Sequence, residues 1–214
     1  MRRSGVRIPL APLQRPRQRS AAGALCIYPC GVSIASVLAA QPVLHTARLT
    51  LEQLGPDHLD EVIAALSDPE AMRLTGTHAT FAREQVLAHL QRLPGSDERA
   101  DFAIVDGNGR YVGEVVLNDL DEDNRSMNYR IALAGPAVRG VGFGTEAGRA
   151  VVAWAFDAVG LHRISLGVYA FNPFAQRSYA KIGFLVEGVE RDSLLWDGHW
   201  HDAVLMAMLA TDPR

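Results

Sequence analysis

The sequence predicts an α/β (α+β) fold in which a mixed, mostly antiparallel sheet is flanked by helices. Three observations carry this expectation. From His45 onward, short β-type runs alternate with segments of helical periodicity, with no long Pro/Gly/Ser linker between them. Three of the runs follow one another across hairpin-type turns, which makes them antiparallel. A later strand–helix–strand unit, around residues 126–169, is a parallel crossover, and such crossovers are right-handed. One domain placed at 45–214 accounts for all of these runs, and a chain of that length buries roughly 70% of its unfolded surface.

The elements follow in order. Ala47–Leu54 alternates as a strand, Pro56–Leu66 has helical spacing with proline near its start, and Phe81–Leu93 reads as a second helix. Strands are expected at Phe102–Asp106, Gly109–Asn118 and Ser126–Leu133, separated by Asp106-Gly107-Asn108-Gly109 and by Asp119–Asn124. After Gly135-Pro136 the period changes. Ala147, Val151, Val152, Ala155, Phe156 and Val159 share one face of the longest helix, which ends at Gly160. Arg163–Tyr169 is a strand, Pro173–Lys181 a short helix stopped by Gly183, and Phe184–Arg191 and Asp202–Leu209 are the closing strands, with Asp197-Gly198 as their turn.

Charge divides the chain. Of its 214 residues, 21 are basic and 24 acidic, for a net charge of −3. Residues 1–51 hold seven arginines and no acid, so the remainder carries a balance of −10. An acidic body is unsuited to nonspecific nucleic-acid binding. Both cysteines, Cys26 and Cys30, precede it, which excludes a disulfide framework, a thiolate metal cluster and a cysteine nucleophile from the body. The sole lysine is Lys181.

Residues 1–44 read as a basic extension, disordered or produced by an over-extended gene start, with Val37 or Val43 as the initiator. Gly5-Val6-Arg7-Ile8-Pro9 back-translates to a string resembling the T-arm of a transfer-RNA gene. A secretory signal ending at Leu38-Ala39-Ala40, an Arg-rich transit peptide and a functional arm are the other readings. The uncharged stretch 21–40 reaches membrane-spanning length, but its small residues and Pro29 give it too little apolar density for a transmembrane helix.

Between a strand and the long helix lies Arg139-Gly140-Val141-Gly142-Phe143-Gly144-Thr145. A glycine-rich turn at a helix N-terminus presents free N–H groups to an anion such as a pyrophosphate. A P-loop would need lysine after its last glycine, and a dinucleotide fingerprint would need glycine where Thr145 stands. The remaining form, R-x-x-G-x-G opening a helix, resembles the acetyl-CoA pyrophosphate loop of the GNAT acyltransferase superfamily. Downstream, Asn172-Pro173-Phe174-Ala175-Gln176-Arg177-Ser178-Tyr179-Ala180-Lys181-Ile182-Gly183-Phe184 is similar to the signature N-x-x-[AS]-x-x-x-Y-x-[KR]-x-G-F of the same superfamily. Arg48-Leu49-Thr50-Leu51, Gly160-Leu161-His162-Arg163-Ile164 and Asp197-Gly198-His199-Trp200-His201-Asp202 resemble its RimJ/RimL-like branch, which acetylates protein N-termini and small amines.

The resemblance implies a sheet splayed between its two parallel strands, with acetyl-CoA as cosubstrate and no metal. Amides of Gly140, Val141, Gly142, Phe143, Gly144 and Thr145 with the Arg139 side chain would hold the pyrophosphate. Backbone of Ile131, Ala132 and Leu133 would pair with the pantetheine arm. Asn172, near Ala175, would hydrogen-bond that arm, and Tyr179 would protonate the departing thiolate. Many relatives carry glutamate where this chain has Asn128, and an amide is no base, so Asn128 is left to position a water or the acyl carbonyl. Glu114, Asp119 and His78 are the substitute bases, each equally readable as a surface or turn residue. Trp154, Phe156 and Trp200 are expected in the core or at its rim, and metal binding at His199 and His201 lacks a third ligand.

The expected activity is acetyl transfer to a primary amine by direct attack in a ternary complex. A different acyl-CoA, an aminoglycoside-type amine, or a non-catalytic CoA- or partner-binding module are the rivals. No nucleic-acid or membrane partner is expected, the location is cytoplasmic, and a homodimer is left open.

Overall fold

The computed structural model describes residues 33–213. The expectations for residues 1–32, including those for Cys26 and Cys30, lie outside the described residues. Eight strands form one sheet in the order β1-β2-β3-β4-β5-β6-β8-β7. They are β1 (Leu44–His45), β2 (Leu49–Gln53), β3 (Ala100–Asp106), β4 (Tyr111–Asp121), β5 (Ser126–Leu133), β6 (Arg163–Tyr169), β7 (Leu185–Trp196) and β8 (His199–Leu209). All neighbours are antiparallel except β5 and β6, so the sheet is mixed as the sequence predicts.

Six α-helices are present, α1 (Ile34–Ala39), α2 (Leu59–Leu66), α3 (Pro69–Thr75), α4 (Arg83–Leu90), α5 (Phe143–Trp154) and α6 (Pro173–Ile182). A turn of π-helix, Ala155–Val159, extends α5 until Gly160 ends it at φ 78°.

Turn chemistry sets the strand boundaries. Asp106 Oδ1 accepts hydrogen bonds from the amides of Asn108 (3.0 Å) and Arg110 (3.1 Å), closing the β3–β4 turn. Asp197 and Gly198 both have positive φ, 48° and 78°, which joins β7 to β8 with a two-residue loop. That hairpin is longer than its expected strands. The residues beyond the expected end at Arg191 are taken up in an irregularity between Glu190 and Leu194, where Asp192 takes φ 52° and its amide donates to Asp202 Oδ1 at 2.9 Å. Helix α3 is an addition to the expected set. Its start carries an Asp68 N-cap and Pro69 at the first helical position, a pattern that marks a helix N-terminus.

Strand alternation sorts side chains to two faces. Phe102, Ile104, Met127 and Tyr129 pack with α1, α5 and α6 in the larger core. Ala103, on the other face, packs with Val62, Val86 and Leu90 of α2 and α4. Gly148 permits the close approach of α5: a Cβ there would lie 2.5 Å from Ile182 Cδ1 and 2.7 Å from the Tyr129 hydroxyl.

The folded body reaches upstream of the division drawn between residues 44 and 45. Ser33 caps α1 by accepting from the Ser36 amide, and Leu38 is 1% exposed within the larger core. Gln41 then brackets Asp101 on β3, its Nε2 donating to the carbonyl at 2.8 Å and its Oε1 accepting from the amide at 3.2 Å. Burial of Leu38 is therefore part of the fold's stability. Leu38→Ala lowers the unfolding free energy by about 2–4 kcal/mol, read from urea denaturation with an unchanged m-value.

Candidate active site

β5 and β6 pair only through Ser126↔Arg163, Met127↔Ile164 and Asn128↔Ser165. Beyond that rung β5 stays hydrogen-bonded to β4 as far as Gly113↔Leu133, and β6 stays bonded to β8 as far as Tyr169↔Ala203. The two parallel strands thus part, and residues 129–132 have no parallel partner strand, while the Leu133 carbonyl accepts from the Gly135 amide and Arg139. Asn128 sits at the apex, its Nδ2 donating to Asn118 Oδ1 at 3.1 Å. Gly113 lets β4 lie close along β5, since a Cβ there would come within 2.2 Å of the Ala132 carbonyl oxygen.

Over the mouth of this cleft stands the start of α5. Gly140 and Gly142 have φ of 78° and 93°, a region open to glycine, and no atom lies within 4 Å of a Cβ placed on Gly140. The first α5 amide with an acceptor inside the helix is Glu146, bonded to the Gly142 carbonyl at 3.1 Å. The amides of Phe143, Gly144 and Thr145 precede it at the positive end of a twelve-residue helix.

Arg48, from the turn before β2, braces this loop. Its Nη1 donates to the Val141 carbonyl at 3.0 Å, its guanidinium lies 4.8 Å from the centroid of Phe143, and it pairs with Glu146 at 2.6 Å. Burial opposes the charge on Glu146, but hydrogen bonds from Thr46 and Arg48 override it and hold the carboxyl below its usual range. A groove of about 630 Å³ beside the loop is lined by Arg48, Gly142, Thr145, Arg149 and Lys181 among others.

Arg139, expected at the loop amides, has its side chain paired with Asp68 at 2.5 Å and donating to the Leu133 carbonyl at 3.3 Å. Asp68 also caps α3 by accepting from the Glu70 amide. Burial pushes the Asp68 carboxyl up, but the Arg139 hydrogen bond and that amide pull it below the ordinary value. The guanidinium at the loop is that of Arg48, whose motif was visible in the sequence while its position was not. The signal for its partner was the acid at the first turn of α5, a place that favours negative charge.

α6 closes the far side. Asn172 is its N-cap, with Oδ1 accepting from the Ala175 amide at 3.1 Å, which leaves the Nδ2 donors of Asn172 for another partner. Ala175 packs partly buried on the core, and Thr145 is tied to Ser178 at 2.8 Å. Tyr179 is 8% exposed and edge-on to Tyr129 and Phe184. Burial pushes its hydroxyl up to about 12, and that hydroxyl has no hydrogen-bond partner among the described residues. The Tyr129 hydroxyl is fully enclosed and likewise without a partner there.

Of the three substitute bases, Glu114 borders residues of the parted stretch of β5. It lies on β4 opposite Ala132 and lines a cavity of about 60 Å³ together with Arg130, Ala132 and Leu133. Burial raises its carboxyl above the usual range, with Asp101 adding and Arg130 and Arg99 opposing. Asp119 is an exposed residue at a β4 irregularity, accepting from Asn118 Nδ2. His78 stacks on Trp196, with ring centroids 4.8 Å apart. Trp154 and Phe156 are in the core and Trp200 is 60% exposed at the hairpin end.

A family profile described as "Acetyltransferase (GNAT) domain" matches residues 48–185. The chain belongs to the GNAT acetyltransferase family. It is 28% identical over 165 residues to the SPbeta prophage-derived uncharacterized N-acetyltransferase YokL of Bacillus subtilis (strain 168), covering 75% of this chain and 89% of that one. With the putative ribosomal N-acetyltransferase YdaF of the same organism it shares 30% identity over 53% of this chain and 65% of the relative. Among solved structures, the spermidine N-acetyltransferase from Vibrio cholerae in complex with CoA and spermine shares the fold, with a TM-score of 0.71 at 22% identity over 78% of this chain and 98% of the other. This GNAT protein is an N-acetyltransferase, an enzyme that transfers an acetyl group to an amine. Since Gly142 combines a positive φ with an approach of 3.2 Å from its would-be Cβ to Arg48, Gly142→Val strains the loop and fills the space before its amides. Titration calorimetry with CoA then shows no binding by the variant, while its thermal unfolding stays cooperative.

Proposed function

We propose that this enzyme binds acetyl-CoA in the fork between β5 and β6 and acetylates a primary amine by direct attack within a ternary complex. The observation that carries the proposal is the loss of strand pairing after Asn128. Main-chain donors and acceptors withdrawn from a sheet need a partner, and an extended amide-bearing chain supplies one in the manner of an added strand. The pantetheine arm of CoA is such a chain. Residues 131–133 would bond it, with Asn172 Nδ2 as a further donor. The loop amides from Gly140 to Thr145 would receive the pyrophosphate, and the groove carrying Arg149 and Lys181 suits the anionic nucleotide end.

Acetyl-CoA, when bound, supplies an acetyl group on a good leaving thiolate. The chain's own residues then hold, orient and move protons. Tyr179, with its hydroxyl near 12, stays protonated at neutral pH. Handing a proton fully to a thiolate of ordinary pKa, about 8.5, is uphill, so its contribution is a hydrogen bond to the sulfur that strengthens as charge develops. Glu114, whose carboxyl is raised by burial, receives the proton of the attacking amine. Asn128 at the apex positions the acyl carbonyl or a water. With cysteine confined to positions 26 and 30, a covalent acyl-cysteine has no residue in the body to form on.

The sequence motifs at 48–51, 160–164 and 197–202, together with the likeness to a putative ribosomal N-acetyltransferase, favour the RimJ/RimL-like branch, so the acceptor is a protein N-terminus or a small amine.

Two substitutions test the roles. Tyr179→Phe lowers kcat by about 10- to 100-fold with little change in KM for acetyl-CoA, the loss expected for a hydrogen bond to a charged group. A change within about twofold removes Tyr179 from the chemistry. Glu114→Gln lowers kcat about 100-fold. In the parent enzyme, kcat rises with pH as the raised Glu114 carboxyl loses its proton, and the variant's pH profile lacks that rise. Thiol release from acetyl-CoA over pH 4–9 measures both.

A further inference from the structure

The residue beside Glu114 in its cavity is Arg130. On β5 it stands opposite Val116, which makes it the diagonal cross-strand neighbour of Glu114 on the same face of the sheet. The surrounding arginines are all engaged. Arg139 is paired with Asp68, Arg73 with Glu70 and Arg99 with Asp101. Arg130 makes no hydrogen bond or ion pair among the described residues, although it is exposed and lies within the free stretch of β5 that flanks the cleft. Glu114 likewise has no hydrogen-bond partner there, and the two are too far apart to bridge directly. One cavity therefore holds a carboxylate and a guanidinium that attract each other but have no direct hydrogen bond, with apolar side chains from Val62, Leu66 and Met72 as its wall.

A ligand that carries both an ammonium and a carboxylate complements the two charges. A polycationic amine would satisfy Glu114 but bring positive charge against Arg130. A neutral peptide terminus would leave the guanidinium fork empty. We infer that the acceptor is an α-amino carboxylate, its amino group at Glu114 and its carboxylate taken by Arg130, with the side chain left outside a cavity of about 60 Å³ that has no room to enclose it. This inference rests on the acetyltransferase site proposed above. The reaction balances simply: the neutral amine's nitrogen bonds to the acetyl carbon, the carbon–sulfur bond breaks, CoA leaves as the thiolate held by the Tyr179 hydrogen bond, and the one proton the amine loses passes to Glu114, which returns it to water. Arginine suits the second role because its planar donors meet both oxygens of a carboxylate.

The test compares L-leucine, L-leucinamide, isoamylamine and spermidine by thiol release from acetyl-CoA, with titration calorimetry of leucine into the CoA-saturated enzyme as a readout independent of turnover. Leucine is expected to exceed each of the other three in kcat/KM by about tenfold or more, as a site built around a polar group rejects analogues that lack it. Arg130→Gln collapses the leucine-to-isoamylamine ratio by about tenfold and abolishes the leucine heat, and Arg130→Glu shifts preference towards spermidine. Calorimetry with CoA alone on each variant separates an acceptor defect from a fold or cosubstrate defect. Equal use of leucine and isoamylamine, preference of the parent enzyme for spermidine, or an unchanged ratio in Arg130→Gln overturns the inference while leaving the acetyltransferase site standing. No binding of CoA by the parent enzyme overturns the site itself.

Discussion

Two parallel strands that share three rungs and then separate set the terms for everything else in this molecule. Unpaired main-chain groups in a protein interior are costly, so strands do not part unless something holds each of them from outside. Here β4 holds β5 along its far edge and β8 holds β6 along its own, each well past the point of separation. The cleft is therefore a property of the sheet's connectivity. A fork of this kind needs rigid arms, and the two cores on opposite faces of the sheet supply them.

The same alternation that packs the sheet divides labour along β5. Met127 and Tyr129 project into the core beneath α5 and α6, while Arg130 and Ala132 reach the cavity under α2 and α3. The main chain between them is left for a third contact in the plane of the sheet. One strand thus presents three surfaces with no extra residues. The loop ahead of α5 is secured to match, by Arg48 and Glu146 on one side and by the Arg139–Asp68 pair on the other. The second of these ties the loop to the N-terminus of α3, so loop and helix are mechanically joined.

Local chemistry made most of the fold legible in the sequence. Strand β6 and the start of α6 were readable to the residue, because Gly160, Pro173 and Gly183 punctuate them and their apolar periods are clean. Helices α1 and α3 were not. α1 lies in a stretch whose composition looks like a leader, and only the burial of Leu38 against distant residues makes it part of the body. α3 is short and half-exposed, so its period is weak despite a well-formed cap. At the site, the positive-φ glycine turn and the position of Tyr179 on α6 were legible because each is local to one segment. The true partner of Arg139 was not, since Asp68 lies 71 residues away, and the same holds for the brace from Arg48, 98 residues from Glu146. Sequence spacing reports what a segment can do, and long-range ion pairs decide which way its side chains turn.

The fork also bears on how such an enzyme diversifies. On the binding proposed above, a cosubstrate gripped by peptide groups and helix-start amides would make few demands on side-chain identity, so substitutions along β5 would leave its grip intact provided the strand stays extended. The residues on the opposite face are then free to change with the acceptor. Drift could then rewrite the acceptor without renegotiating how the cosubstrate is held.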